Sequence, residues 1–208
     1  MPTHVIEWAA FSLKQHVTEA ALLAASEQLQ DEFLDKQIGF IRRELLALGE
    51  GQYADLVTWQ SHDLARQAIA QAPNYSACMS YFSLLEVDVE PKLGAPLHSK
   101  CAHVDISSIG GMEFSLFKLR EGVYEDALPA AAKKMAEGLY ANEDGYIGHL
   151  IVKDSSGQYA DVVLASSLSR ANELCQKWGS DPYADACLDY QALIEPTTID
   201  IKFWQRVY

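Results

Sequence analysis

Cysteine is sparse in this sequence and never paired. Cys78, Cys101, Cys175 and Cys187 are scattered and form no C-x-x-C unit, so neither a disulfide scaffold nor a redox motif is indicated. Reduced thiols in a cytoplasmic setting are expected. Positive charge is also scarce. Sixteen lysines and arginines stand against 29 aspartates and glutamates, a formal charge of −13. That balance argues against nucleic acid and anionic membrane surfaces, which are held by clustered basic residues. No apolar run reaches the roughly 18 residues a membrane helix needs. The segment Met1 to Trp8 lacks the basic and apolar regions of a secretory signal, so none is expected. The chain has no P-loop, no G-x-G-x-x-G and no G-x-S-x-G, which disfavours nucleotide chemistry and serine hydrolysis. His98, Cys101, His103 and Asp105 are metal-ligating types, but their spacing matches no zinc signature, and no metal is expected there.

What the chain does have is a long internal repeat. Gly51-Gln52-Tyr53-Ala54-Asp55 returns as Gly157-Gln158-Tyr159-Ala160-Asp161, 106 residues later (157 − 51). Phe11 and Leu13 meet Phe117 and Leu119 at the same offset, and Gly39-Phe40-Ile41 meets Gly145-Tyr146-Ile147. Farther on, Ala77-Cys78 meets Ala186-Cys187 at an offset of 109, the three extra residues falling near Ser180-Asp181-Pro182. Val104-Asp105-Ile106 resembles Ile199-Asp200-Ile201, which suggests an insert of about 14 residues around Glu90 to Cys101 in the first copy. A repeat this long is a whole folding unit. The expected division is 1–90 for the first repeat, 91–111 for an inter-repeat linker and strand, and 112–208 for the second. Pro91, Gly94 and Pro96 read as a mobile loop within the linker.

Each copy reads as β-α-β-β-α-β. Val5 to Lys14 and Met112 to Leu119 are strand candidates. The stripes Leu22, Ala25, Leu29, Phe33 and Leu128, Ala131, Met135, Leu139 step by 3, 4, 4, one face of a helix. Thr18 and Asp126 are placed to cap these helices. Two hairpins follow, turning at Gly49-Glu50-Gly51 and Asp154-Ser155-Ser156-Gly157. Second helices open at Ser61 and Ser167. Last strands are expected near Met79 to Val87 and Leu188 to Ile194. The predicted class is α+β: two tandem ferredoxin-like repeats.

Gly39-Phe40-Ile41 opening strand two, and Tyr53-Ala54-Asp55-Leu56-Val57-Thr58-Trp59-Gln60-Ser61 in strand three, carry a resemblance to the dimeric α+β barrel superfamily, in its antibiotic-biosynthesis-monooxygenase-like branch. The resemblance spans nearly the whole chain as two fused copies and implies an intramolecular pseudo-dimeric barrel. It implies a small-molecule ligand between sheet and helices, and cofactor-independent monooxygenation of a small aromatic or polyketide-like compound as one activity. A non-enzymatic ligand-binding or haem-binding barrel of the stress-related kind is the alternative, with His149 as the iron ligand. Further self-association stays open.

By period two, Tyr53, Asp55, Val57 and Trp59 share one face of their strand. The resemblance implies that this face lines the cavity, with Asp55 and Trp59 at the spacing of a polar residue and a Trp in related monooxygenases. Asp55, Trp59 and His149 are the candidate catalytic residues; Arg43, Tyr53, Asp161 and Tyr159 are the candidate substrate-binding residues. Arg43 could clamp an anion or pair with Asp55, and which of Arg42 and Arg43 points inward depends on any bulge in strand two. The copies differ at Arg43 against His149 and at Trp59 against Ala165, so their cavities are expected to differ.

Overall fold

A computed structural model describes residues 4–101, 108–179, 181 and 184–208. They divide into two units: 1–95 with 207–208, and 96–206.

The first unit opens with β1 (Val5–Ser12), followed by α1 (Glu19–Glu32). The Thr18 hydroxyl accepts from Ala21 N–H at 3.2 Å and caps α1, as its position in the sequence suggests. Strands β2 (Phe40–Gly49) and β3 (Gln52–Trp59) form the hairpin. Its turn holds Gly49, Glu50 and Gly51 all at positive φ, which explains the flanking glycines. Helix α2 (His62–Gln71) starts at Ser61, whose hydroxyl accepts from Leu64 N–H.

The next segment departs from expectation. Ser76–Phe82 is a helix, α3, and not the last strand; the strand follows it as β4 (Lys92–Cys101). Ala77, Cys78 and Tyr81 are buried together, the i, i+3, i+4 spacing of a helical face, while Met79 and Phe82 are exposed. A short apolar run without clean alternation does not distinguish strand from helix in a sequence. Cys78 is therefore a helix residue, and the stretch read as a mobile loop is largely strand.

The second unit repeats this plan with β5 (Gly111–Phe117), α4 (Ala127–Met135), β6 (Tyr146–Asp154), β7 (Tyr159–Ala165), α5 (Leu168–Gln176), α6 (Ala184–Gln191) and β8 (Asp200–Arg206). Helix α6, carrying Cys187, again replaces the expected strand. Ser167 caps α5 by accepting from Arg170 N–H at 3.1 Å, whereas Asp126 makes no capping bond on α4.

Pairing is antiparallel in both units. In the first, β1 lies between β3 and β4, and β2 pairs with β3. In the second, β5 lies between β7 and β8, and β6 pairs with β7. Gly94 stands opposite Ile6 as Trp204 stands opposite Met112, so the last strands correspond 110 residues apart (204 − 94). The offset barely changes from that of the preceding helices, which removes the need for an insert between Glu90 and Cys101. The match expected for Val104-Asp105-Ile106 lies outside the described residues. Each unit has its own apolar core between sheet and helices, built on Leu22, Leu45, Trp59 and Tyr81 in one and on Leu128, Ile151, Val163 and Tyr190 in the other.

Candidate active site

A cavity of about 400 Å³ lies in the first unit, lined by apolar side chains with Glu7, Arg43, Asp55 and Tyr81 among them. Asp55, Val57 and Trp59 reach it from alternate positions of β3. Arg43 reaches it from β2. The register shifts between Phe40 and Arg42, a bulge at Ile41 that settles which of the two arginines turns inward.

Arg43 is held by three neighbours. Its Nε donates to Asp55 Oδ1 at 2.7 Å, its Nη1 donates to Ser26 Oγ at 2.7 Å, and its guanidinium lies 5.2 Å from the centroid of the Tyr81 ring. Burial works against its charge, yet Asp55 and then Tyr81 lift its pKa above the ordinary arginine value. The Tyr81 hydroxyl donates to the second oxygen of Asp55 at 2.9 Å. Both oxygens of Asp55 are thus committed to donors. A carboxylate held by a buried cation and a phenol is well suited to fixing geometry and poorly suited to accepting a substrate proton.

Two further carboxyls line this cavity, Asp88 at an exposed position and Glu7 on β1. Glu7 stands opposite Val57, so its side chain falls between Asp55 and Trp59 on the same face. Trp59 Nε1 donates to Glu7 Oε2 at 2.7 Å. Burial pushes the Glu7 pKa up to about 7; the Trp59 hydrogen bond and Arg43 pull it down, and Asp55 pushes it further up. A carboxyl poised near neutrality in an apolar cavity has the properties of a general acid or base.

Glu7 is not among the residues expected from the sequence to carry chemistry, although the repeat marks it: Glu113 lies 106 residues later, on β5. Tyr53 and Tyr159 share the strand faces of Asp55 and Asp161 but are bonded elsewhere. The Tyr53 hydroxyl donates to Glu19 at 2.8 Å and that of Tyr159 to Glu125 at 2.6 Å, tying each third strand to the segment around the start of the first helix. Neither tyrosine is among the residues that line this cavity or the one in the second unit.

The second unit has its own cavity of about 410 Å³, lined by Glu113, Ser115, Asp161, Cys175 and Tyr190 among others. Here His149 replaces Arg43 and Ala132 replaces Ser26, so the cation and its anchor change together. His149 Nε2 is 2.9 Å from Asp161 Oδ1, and the ring is fully buried. Ala165 stands in place of Trp59, and the donor to the glutamate becomes Ser115, whose hydroxyl donates to Glu113 Oε1 at 3.0 Å. Burial and then Asp161 push the Glu113 pKa up to about 8.

Among the described residues no group of three or more His, Cys, Asp or Glu is arranged to hold a metal ion. His103 and Asp105 lie outside the described residues. His149 does not fit as a haem ligand: its Nε2 is taken by Asp161, it does not line the cavity, and its ring is enclosed by His98 and Tyr140 with centroids 5.2 and 5.5 Å away. No described helix is long and apolar enough to cross a membrane.

No family profile and no curated protein matches the chain. Solved structures do, over nearly its full length. A monooxygenase candidate from Lactobacillus acidophilus NCFM superposes with a TM-score of 0.71 at 10% identity, over 98% of this chain and 94% of its own. An anthrone oxidase-like protein gives 0.67 at 12% identity, over 99% and 92%. A ferredoxin-fold protein of Listeria monocytogenes 4b F2365, related to antibiotic biosynthesis monooxygenases, gives 0.53 at 11% identity, over 100% and 96%. The fold class is therefore α+β, two ferredoxin-like units in tandem, the fold that these solved structures share. Identities this low establish a shared fold and leave activity to the site.

Proposed function

We propose that the first unit is a cofactor-independent oxygenase acting on a small aromatic or polyketide-like ketone with an acidic C–H, and that Glu7 is its general base. The observation that carries this reading is a carboxyl with a pKa near 7 in an apolar cavity of about 400 Å³. That volume falls within the roughly 300–1,000 Å³ of small-molecule sites.

Glu7 takes a proton from a methylene conjugated to a carbonyl, leaving a delocalised carbanion. The carbanion gives one electron to dioxygen, and the two radicals join as a peroxide. Loss of water yields a new carbonyl, so one oxygen atom enters product and the other leaves as water. The methylene carbon is oxidised and dioxygen is reduced, with no further reductant. The apolar lining keeps water from quenching the carbanion. Trp59 holds the Glu7 carboxylate in place, and the Arg43–Asp55–Tyr81 network fixes the wall behind it. Asp55 and Trp59 thus act here as positioning residues, and Arg43 serves Asp55 more than an incoming anion.

Oxygen uptake with anthrone as probe tests this directly. Wild-type protein should consume one dioxygen for each anthraquinone formed, and Glu7→Gln should be slower by about 10²–10⁴-fold, the usual worth of a positioned base. Unchanged uptake in Glu7→Gln would remove Glu7 from the mechanism; no uptake above background with anthrone or related acidic ketones would sink the oxygenase reading.

A further inference from the structure

The second cavity carries a charge arrangement that the first does not. In the first, Asp55 is neutralised by Arg43; in the second, exchange of that arginine for His149 leaves no guanidinium behind the carboxylates. Glu113 and Asp161 are only 2% and 3% exposed, and Glu113 Oε2 and Asp161 Oδ2 have no hydrogen-bond partner. The Tyr190 hydroxyl lies beside Asp161 and the Cys175 thiol beside Glu113, near enough to act on their titration, but neither closes a hydrogen bond of good geometry on these oxygens, whereas Tyr81 closes its bond to Asp55. A buried carboxyl oxygen without a closed hydrogen bond is costly, and a donor that enters the cavity removes that cost.

We propose that this cavity binds a small organic ammonium ion whose N–H groups donate to Glu113 Oε2 and Asp161 Oδ2, and whose apolar body packs on Phe117, Trp178 and Ile194. This inference is independent of the oxygenase reading of the first unit. The chemistry of the lining selects the ligand class. Asp161, and Glu113 once it is ionised, repel an anion. A hard metal cation needs about six to eight oxygens, and beyond Glu113, Ser115 and Asp161 the wall is mostly apolar or aromatic. Aromatic faces beside carboxylates suit an ammonium with a hydrophobic body. Among the described residues Arg120 is the one basic side chain lining the cavity; it is exposed, with its Nε donating to the Ile194 carbonyl at 2.8 Å.

Binding should also move a proton. Burial, and next Asp161, raise Glu113 to about 8, so near pH 7 it is largely protonated. An ammonium favours its ionised form and expels that proton. Cys175, pushed up to about 12 mainly by burial, and Tyr190, held well above its ordinary value, stay protonated across this range. His149 faces Asp161 from behind, its Nε2 2.9 Å from Oδ1.

Calorimetric titration of the full chain with phenethylamine, 2-phenylethanol, 3-phenylpropionate and calcium chloride separates the outcomes. Phenethylamine should bind with proton release, seen as a heat that depends on the buffer's ionisation enthalpy. The alcohol and the carboxylate should bind far more weakly. Glu113→Gln should weaken the amine on the order of thirtyfold or more and abolish the proton release. Its melting temperature should not fall, because a neutral amide suits a buried site, so lost binding cannot be blamed on lost fold. The proposal is overturned by absent binding of the amine, equal binding of the alcohol, displacement of the amine by calcium, or unchanged affinity in Glu113→Gln.

Discussion

Trp59 Nε1 donates to Glu7 Oε2 at 2.7 Å, joining β3 to β1 across one face of the sheet. The second unit keeps the glutamate as Glu113 but has Ala165 for the indole and Ser115 as the donor. The same carboxyl, half-buried in the first copy and buried in the second, is thus held by two different devices in two copies of one fold.

Removing the indole donor should shift the first device's titration. Trp59→Phe keeps an aromatic body and deletes the N–H. That bond lowers the Glu7 pKa, so its loss should raise the midpoint of the pH–rate profile by about one to two pH units, given about 1.5–3 kcal/mol for a hydrogen bond to a charged group. A midpoint that stays in place would mean the bond does not tune Glu7.

The two glutamates should make stability depend on pH in a defined direction. Their folded pKa values, about 7 and about 8, lie above the ordinary 4.5. The folded protein therefore holds protons that the unfolded chain releases. Their contribution is complete below about pH 4.5 and is lost as pH rises through 7 for Glu7 and 8 for Glu113. Glu113→Gln should be more stable than wild type at pH 8.5 by on the order of a few kcal/mol, with the advantage gone near pH 4.5. Urea denaturation at the two pH values measures it.

The Arg43–Asp55 pair should be expensive to break on one side only. Arg43→Met leaves Asp55 buried without its cation and should cost about 3–5 kcal/mol. Adding Asp55→Leu should recover part of that loss, because no unpaired charge remains. A double-mutant cycle by chemical denaturation gives the coupling, and additive losses would contradict it.

Two glycines should differ sharply in tolerance. A Cβ at Gly111 would lie 2.3 Å from the backbone nitrogen of Leu168, where only a shift of backbone could make room. Gly157 has φ +84 but open space around it. Gly157→Ala should cost about 1 kcal/mol, and Gly111→Ala much more, as thermal melts would show.

How much of this was legible in the sequence differs from one residue to the next. Thr18, Ser61 and Ser167 announced their helix starts, since a cap depends only on atoms a few residues away. The glycines at 49, 51 and 157 announced their turns for the same reason. The offset of 106 residues fixed two units of one plan, because apolar spacing and turn chemistry are local and were repeated together. The segments around Tyr81 and Tyr190 suit a strand or a helix in sequence, since a short apolar run fits either form until a sheet presents the face against which it packs. Arg43 turned inward through a bulge at Ile41, which pairing with β3 creates and no local signal reports. Glu7 was visible only as a residue type on a strand. Its burial, its bond from Trp59 and its near-neutral pKa arise from groups 50 or so positions away. The sequence alone determined the repeat, the helix caps, the turns and most of the elements, all set by short-range stereochemistry. The tertiary structure alone decided which carboxyl is desolvated and which is paired, because desolvation and charge pairing depend on what the fold brings within a few ångströms.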